Sequence, residues 1–561
     1  MDVGDKTDCK DMEEGTTFPV QRKKKSTKKY PGFVRNLGNY ITEYTENSSL
    51  HGVRYLGETK RNIFERLWWL IVFVVSLYVC VDLILKTYHK WDSSPVIVSF
   101  AQSPTPVWQI PFPAVTICPE TKARQSVFNF TDCYNRQLDL NLTMDELKQY
   151  QKVSLVCDNH LYTEGNETTD YSTIDFLAEI APPFSQVFWT CMWTNHNHTC
   201  DTLFTPVLTE EGVCYTFNML DRDDIFTNEV YHNKEFLHHN FDRHGWTLED
   251  GYAKDAGKDT FPNRAMSSGQ SAGMSMLLRA FDYDLDYICK GPVQGFKILL
   301  HHPGEVPRVS TQYFRAPLNQ EVIVNVKPDM MTTSDSLRDY DPHRRKCYFS
   351  TERELRFYQN YTQQNCEVEC LTNFTYNYCG CVAYHMPHDE STPICASGKQ
   401  FCMHEARSEL LAKQVTTGLE KQNAGDSATP QANIECDCLP ACTSLTYNAE
   451  MSQADFNWPA VFQAFRSNVS EFPGVQITRL TIFFKEMQFI TSTRNELYGL
   501  TDFLANCGGL LGLFIGFSFL SAVETLYFLT FRLWCNMRRH GRHYWSGSPN
   551  LITSDKYDYN K

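Results

Sequence analysis

Two apolar stretches near opposite ends constrain this chain of 561 residues more than any other feature. The first, "LWWLIVFVVSLYVCVDLIL" at residues 67–85, carries one charge, Asp82, and has about the 20 residues needed to cross a bilayer. It starts too far into the chain to be a secretory signal peptide. The second, residues 503–523, has no charged side chain and continues past Glu524 through "TLYFLTF". Lys60, Arg61 and Arg66 precede the first stretch, and Arg532, Arg538, Arg539 and Arg542 follow the second. Positive charge gathers on the cytosolic flanks of spans. Both termini are therefore expected in the cytosol, with the long intervening segment outside.

The cysteines support that compartment independently. Of 21, 17 lie between Cys118 and Cys442, a density that suits a disulfide framework in an oxidising environment. Seven N-x-[ST] sequons share the region, at Asn129, Asn141, Asn166, Asn197, Asn360, Asn373 and Asn468, and these are expected to be glycosylated. Asn47 also fits the pattern but falls on the cytosolic side. The formal charge is −14, so the basic run "QRKKKSTKKY" near the N-terminus does not make a nucleic-acid-binding protein. Just ahead of a span, it sets topology or meets anionic lipid.

Between the spans the chain reads as mixed α and β. "GFKILLHHP" and "EVIVNVKPD" have strand length and are bounded by turn residues. "STERELRFYQNY" and "HEARSELLAKQV" have helical composition. "TTGLEKQNAGDSATPQAN" is expected to be an exposed loop. "TRLTIFFKEMQFITSTRNELYGL" alternates as a strand does and leads into the second span. No internal repeat is evident.

The closely spaced cysteines of "NCEVECLTNFTYNYCGCVAYHMP", then Cys395 and Cys402, then "CDCLPACTSLTY" leave zinc as a competing reading for the C-x-C pairs. The oxidising context favours disulfides, and no metal site is expected. With "LHGVRYL" before the first span, "FPAVTIC" after it, "GVCYTFN" in mid-chain and "FLANCGGLLGLFIGFSFLSAVE" near the end, the sequence resembles the degenerin/epithelial sodium channel family over nearly its whole length. The wording of "LLRAFDYDLDYICKGPVQGFKILLHHP" is most similar to insect pickpocket subunits.

That resemblance implies an α+β membrane protein in which two transmembrane helices flank a large disulfide-rich extracellular domain of palm, finger, thumb, knuckle and β-ball regions. The divisions expected are 1–66 (cytosolic, with a His-Gly motif), 67–88 (first span), 89–500 (extracellular), 501–531 (second span and pore) and 532–561 (cytosolic tail). The implied function is a pore-forming subunit of a trimeric, sodium-permeable, amiloride-sensitive cation channel of the plasma membrane. It would have Na+ as permeant ion, no cofactor, no enzymatic activity, and other channel subunits and membrane lipid as partners. The alternatives are a non-conducting two-span adhesion or receptor protein, or a subunit that conducts only beside a different one. The implied disulfides are Cys118–Cys214, Cys191–Cys200, Cys347–Cys442, Cys366–Cys438, Cys370–Cys436, Cys379–Cys402 and Cys381–Cys395. Cys133, Cys157 and Cys289 remain; a Cys133–Cys157 bridge would leave Cys289 alone.

Gly508, Gly512 and Gly516 recur every four residues, which is enough for close helix packing alone. The resemblance adds that Gly516-Phe517-Ser518 matches a G-x-S selectivity filter. A filter replaces a cation's hydration shell with carbonyl or hydroxyl oxygens, and glycine lets the backbone leave the helix. Phe517 departs from the family's small middle residue, which puts selectivity over potassium in question. Ala505, Gly508, Gly509 and Gly512 fall on the expected pore and gate. Glu524 reads either as a snorkelling or paired acid or as part of a ring concentrating cations. His51-Gly52 matches the family's gating pair.

Other signals are set aside. "GQSAG" at residues 269–273 satisfies a nucleophile-elbow pattern, but polar sequence precedes it where a buried strand is needed. His404 has no second histidine for a zinc peptidase. The extracellular histidines, His301 and His302 among them, could sense pH or bind metal, with solvation the default expectation. The acids Asp221, Asp223, Asp224, Asp282, Asp284 and Asp286 read either as proton or calcium binders or as solvated loop residues.

Overall fold

A computed structural model describes residues 32–58, 61–93, 96–139, 141–161, 168–231, 236–238, 245–247, 249–424, 436–466 and 471–552. The chain divides into two compact units, Ser94–Leu497 and the combination of Met1–Ser93 with Tyr498–Lys561.

The Ser94–Leu497 unit is built on two sheets. The larger runs in the order Val96–Phe100, Ser492–Glu496, Gln320–Thr333, Val475–Phe484, Met274–Phe281, Phe188–Trp193 and His196–His198, and Ser444–Asp455 also pairs with Gln320–Thr333. Its pairs are antiparallel except where Gln320–Thr333 lies parallel to Val475–Phe484 and to Ser492–Glu496. The smaller, all-antiparallel sheet runs Phe314–Pro317, Gly295–His301, Ala114–Pro119, Gly212–Phe217 and Phe204–Thr209. The main core fills the space between them. Val322, Val324 and Val326, Leu480, Ile482 and Phe484, and Met274, Met276 and Leu278 enter it at every second position, as the two-residue period of a strand requires. Gly295–His301 is buried along its whole length, which explains its nearly unbroken apolar sequence.

Helices form separate clusters around this core. Phe130–Leu138, Met144–Val153 and Ser172–Ile180 share one, and Gln363–Cys379 packs with Gln400–Ala424. Three sequence expectations change here. Residues 350–361 form no helix. Phe357, Tyr358 and Tyr361 are all buried, while the backbone N–H groups of Arg356 and Phe357 donate to the Glu369 carboxylate, so side chains take the place of a helical ladder. Residues 416–424 continue the Gln400–Ala424 helix instead of starting a loop, and 425–433 lie outside the described residues. The stretch after Thr478 is not one strand but three, Val475–Phe484, Gln488–Phe489 and Ser492–Glu496, before a helix starts at Leu500.

Eight disulfides are present: Cys118–Cys214, Cys157–Cys289, Cys191–Cys200, Cys347–Cys442, Cys366–Cys438, Cys370–Cys436, Cys379–Cys402 and Cys381–Cys395. The correction concerns Cys157, which bonds Cys289, leaving Cys133 as a buried thiol. The reason is local: Asp158 N–H donates to the Cys289 carbonyl at 2.8 Å, and Lys290 pairs with Asp158 at 2.7 Å, so the two segments are already zipped together. Losing a native bridge costs about 2–5 kcal/mol. Cys370→Ser and Cys436→Ser are each expected to lower surface expression, with the double variant little worse than either. Strictly additive losses in surface biotinylation would argue against that pair.

The solvated-group expectations also change. Asp284 accepts from Ser126 and Asp286 from Thr131, Ile288 and Cys289, both carboxylates being buried. His301 and His302 are buried too, and desolvation drops them to about 4 and about 3. Of the sequons, Asn129, Asn141, Asn197 and Asn373 are exposed, and Asn360 is half-buried with its amide donating to the Asp224 carbonyl at 3.2 Å. Asn166 and Asn468 lie outside the described residues.

Candidate functional site

In the unit combining the two termini, the Ile63–Ser93 helix is long and apolar enough to cross a membrane. Leu500–Ile515 and Phe519–His540 pass the same test only together, bent by 71° at the break between them. The break falls at Gly516, Phe517 and Ser518.

The bend has a local cause. Gly516 adopts a left-handed conformation, φ 68° and ψ 21°, and its N–H donates to the Gly512 carbonyl at 3.0 Å. Phe517 N–H reaches the Leu511 carbonyl at 3.2 Å, a helix ending of the kind glycine favours. Ser518 then caps the next helix. Its hydroxyl accepts from Ser521 N–H and the Ser521 hydroxyl accepts from Ser518 N–H, each at 3.2 Å. A helix stop and a helix start thus meet within three residues, and backbone polar groups leave the helical ladder.

The His-Gly pair packs against this break. His51 N–H donates to the Ile515 carbonyl at 3.0 Å, one of those orphaned where the helix stops. The His51 ring covers Gly516 so closely that a Cβ there would lie 2.7 Å from ring carbons. Gly52 has φ 83° and starts the short Val53–Gly57 helix, a turn glycine makes at little cost. Ser49 hydroxyl donates to the Ser521 hydroxyl at 2.9 Å, and Ser49 N–H to a Glu524 carboxylate oxygen at 3.3 Å. Glu524 is thereby tied to the segment bearing His51.

The segment is anchored by the amphipathic Phe33–Asn47 helix. Tyr40 hydroxyl donates to the Phe528 carbonyl, which lies in a widened π-helical turn, Tyr527–Arg532. Such turns open the normal ladder. Tyr44 meets Thr525 at 3.3 Å, and Glu43 pairs with Arg532 at 2.6 Å. Asn36 donates to the His543 carbonyl at 3.0 Å and accepts from Ser546 at 2.8 Å. Sequence reasoning missed Ser49, Ser521 and this helix. The available signal was Phe33, Leu37, Tyr40 and Tyr44 at spacings of three and four.

Ala505 is exposed, and a Cβ added at Gly508, Gly509 or Gly512 would meet nothing within 4 Å. Among the described residues, nothing covers this small-residue face. Phe517 is half-buried. Elsewhere, Gly269 begins a short 3-10 turn followed by a strand, the reverse of a nucleophile elbow. Among the described residues no group of acids, histidines and cysteines could hold a metal ion.

The family model described as "Amiloride-sensitive sodium channel" matches residues 44–528, from the last turn of the Phe33–Asn47 helix to the π-helical segment. The chain therefore belongs to the degenerin/epithelial sodium channel family, whose members are ion channels and not enzymes. Among its relatives, Pickpocket protein 28 of Drosophila melanogaster is 30% identical over 530 residues, covering 90% of this chain and 80% of that protein. Sodium channel protein Nach of Drosophila melanogaster is 22% identical over 537 residues, 91% and 92% of the two chains. Acid-sensing ion channel 1 of Gallus gallus is 22% identical over 504 residues, 86% and 82%. A cryo-EM structure of a proton-activated chloride channel aligns with a TM-score of 0.27 at 7% identity, over 83% of this chain and 98% of that one, too low a score to carry weight. Membership supports a cation channel.

Proposed function

We propose that this chain is a pore-forming subunit of a trimeric, sodium-permeable, amiloride-sensitive channel of the plasma membrane. Two spans put both termini in the cytosol and residues 89–500 outside. The observation that supports it most is the helix break at Gly516-Phe517-Ser518, covered by His51. A pure membrane anchor gains nothing from interrupting its ladder, whereas non-helical backbone at membrane depth is tolerated where it lines water. Gly516 and Ser518 would supply carbonyl and hydroxyl oxygens to the ion, with Phe517 packing beside them. Glu524 would add negative charge near the pore. The bare glycine face would meet the same face of neighbouring subunits, with Ala505 at their closest approach.

The test is whole-cell current under sodium and then potassium, with and without amiloride, normalised to surface protein. A standing sodium current is expected from Ala505→Val, because bulk where three helices converge costs about 1–3 kcal/mol. If that cost falls on the closed state, the open fraction rises roughly 5- to 150-fold. Silence of wild type and variant alone, with current on co-expression of another subunit, would make this an obligate partner. Silence in both settings with normal surface protein would sink the reading.

A further inference from the structure

A cavity of about 790 Å³ opens in the Ser94–Leu497 unit, walled by strand ends at Met330 and Thr446, the first turn of the Gln363–Cys379 helix, Trp246, the Glu249–Tyr252 turn and Trp108. This is the size of a small-molecule site. Four acids line it, Glu249, Asp250, Glu305 and Glu367, against two bases, Arg264 and Lys254. Arg264 is committed elsewhere: it donates to the Trp108 and Ala256 carbonyls at 3.3 and 2.9 Å and stacks on Tyr252 at 4.3 Å. Glu367 is paired with Arg308 at 2.9 Å. Among the described residues no cation pairs with Glu305. Burial, then Glu367, push its carboxyl up to about 7, against the pull of the His302 backbone amide and Arg308. Trp246 is 8% exposed, stacks on His302 at 6.0 Å, and its indole N–H has no hydrogen-bond partner. Glu305 is half-buried with no ion-pair partner among the described residues to balance it, and the buried indole N–H of Trp246 is a donor that is costly to leave unsatisfied. The acids do not converge as metal ligands do, but acids beside tryptophan faces suit a cation with an organic body.

We propose that this cavity binds a small organic cation, an amine or guanidinium on an aromatic or aliphatic body, with Glu305 as its counter-ion. The site is separate from the pore segment, and binding is measured without current, so it stands or falls independently of channel function.

Equilibrium dialysis of radiolabelled tyramine against purified full-length protein in detergent tests it. Saturable binding is expected at pH 8, displaced by phenethylamine and not by phenylacetate. Glu305→Gln keeps the shape and removes the charge, and should weaken binding roughly tenfold or more. Affinity in the wild type should fall as pH drops below about 7, because a proton then competes for Glu305. The other groups around it are Glu367, Arg308, Tyr447, His301 and His302, and the tyrosine and both histidines stay neutral in that range. Glu305→Gln should flatten this pH profile. No saturable wild-type binding, equal competition by phenylacetate, or unweakened binding in Glu305→Gln would each overturn the proposal. If that variant fails to fold, the wild-type competition and pH profile decide alone.

Discussion

Gly516→Val is expected to abolish sodium current while leaving the protein at the cell surface. Two costs coincide at this position. A non-glycine residue at φ 68° pays roughly 1–2 kcal/mol, and its Cβ would lie 2.7 Å from carbons of the His51 ring. Overpacking adds about 1–3 kcal/mol. Even the lower total of about 2 kcal/mol reduces the native break roughly 30-fold, at 1.4 kcal/mol per tenfold. Both costs fall on the junction and not on the Ser94–Leu497 unit, so maturation should survive. Current normalised to surface-biotinylated protein is the measurement. A wild-type stimulated current in Gly516→Val would mean that residues 516–518 do not form the conducting constriction.

Glu211→Gln is expected to do the opposite, removing the protein from the surface. Glu211 is buried with three lysine ammonium groups around its carboxylate, Lys297 at 2.6 Å, Lys122 at 2.9 Å and Lys290 at 3.0 Å. Burial alone would raise its pKa, but the lysines Lys122, Lys290 and Lys297 hold the carboxyl far below its usual range. It therefore stays ionised down to strongly acid pH, and its contribution to stability persists there. Lys122, fully buried, is pulled below its ordinary value by desolvation against the attraction of Glu211. Removing one partner of a buried pair leaves an uncompensated charge and costs about 3–5 kcal/mol, a large share of the stability of an ordinary domain. Glu211→Gln with Lys122→Met deletes one charge of each sign and should recover part of the loss. Surface expression of the single and the double variant, with glycan maturation as a folding readout, checks this. Wild-type maturation of Glu211→Gln would show that the cluster contributes nothing.

The two variants separate what the sequence carries from what it does not. The apolar runs, the disulfide-rich middle of the chain and the strands at 295–301 and 320–333 were legible because each follows from composition or a local preference, whereas Gly516 was singled out from the other glycines only by the family resemblance. Transfer of apolar side chains, the two-residue strand period and glycine's access to positive φ are set within a few residues. The helical composition of 350–361 was legible too, and misled, since burial of Phe357, Tyr358 and Tyr361 outweighed a weak propensity.

Contacts between distant segments were decided only by the tertiary structure. Ser49 meets Ser521 across 472 positions, and His51 covers Gly516, because the Phe33–Asn47 helix docks along the segment that follows the break. Lys122, Lys290 and Lys297 surround Glu211 because neighbouring strands and loops deliver them to one point. Cys157 took Cys289 over Cys133 because the backbone at 158 and 289 was already hydrogen-bonded. None of these leaves a local mark, since a partner far along the chain is fixed by register and packing and not by neighbouring residues. The sequence by itself determined the apolar runs, the cysteine-rich stretch between them and the main strands, because composition and the two-residue strand period are local. What covers the break at Gly516, and which charges share a buried site, the folded chain alone decided.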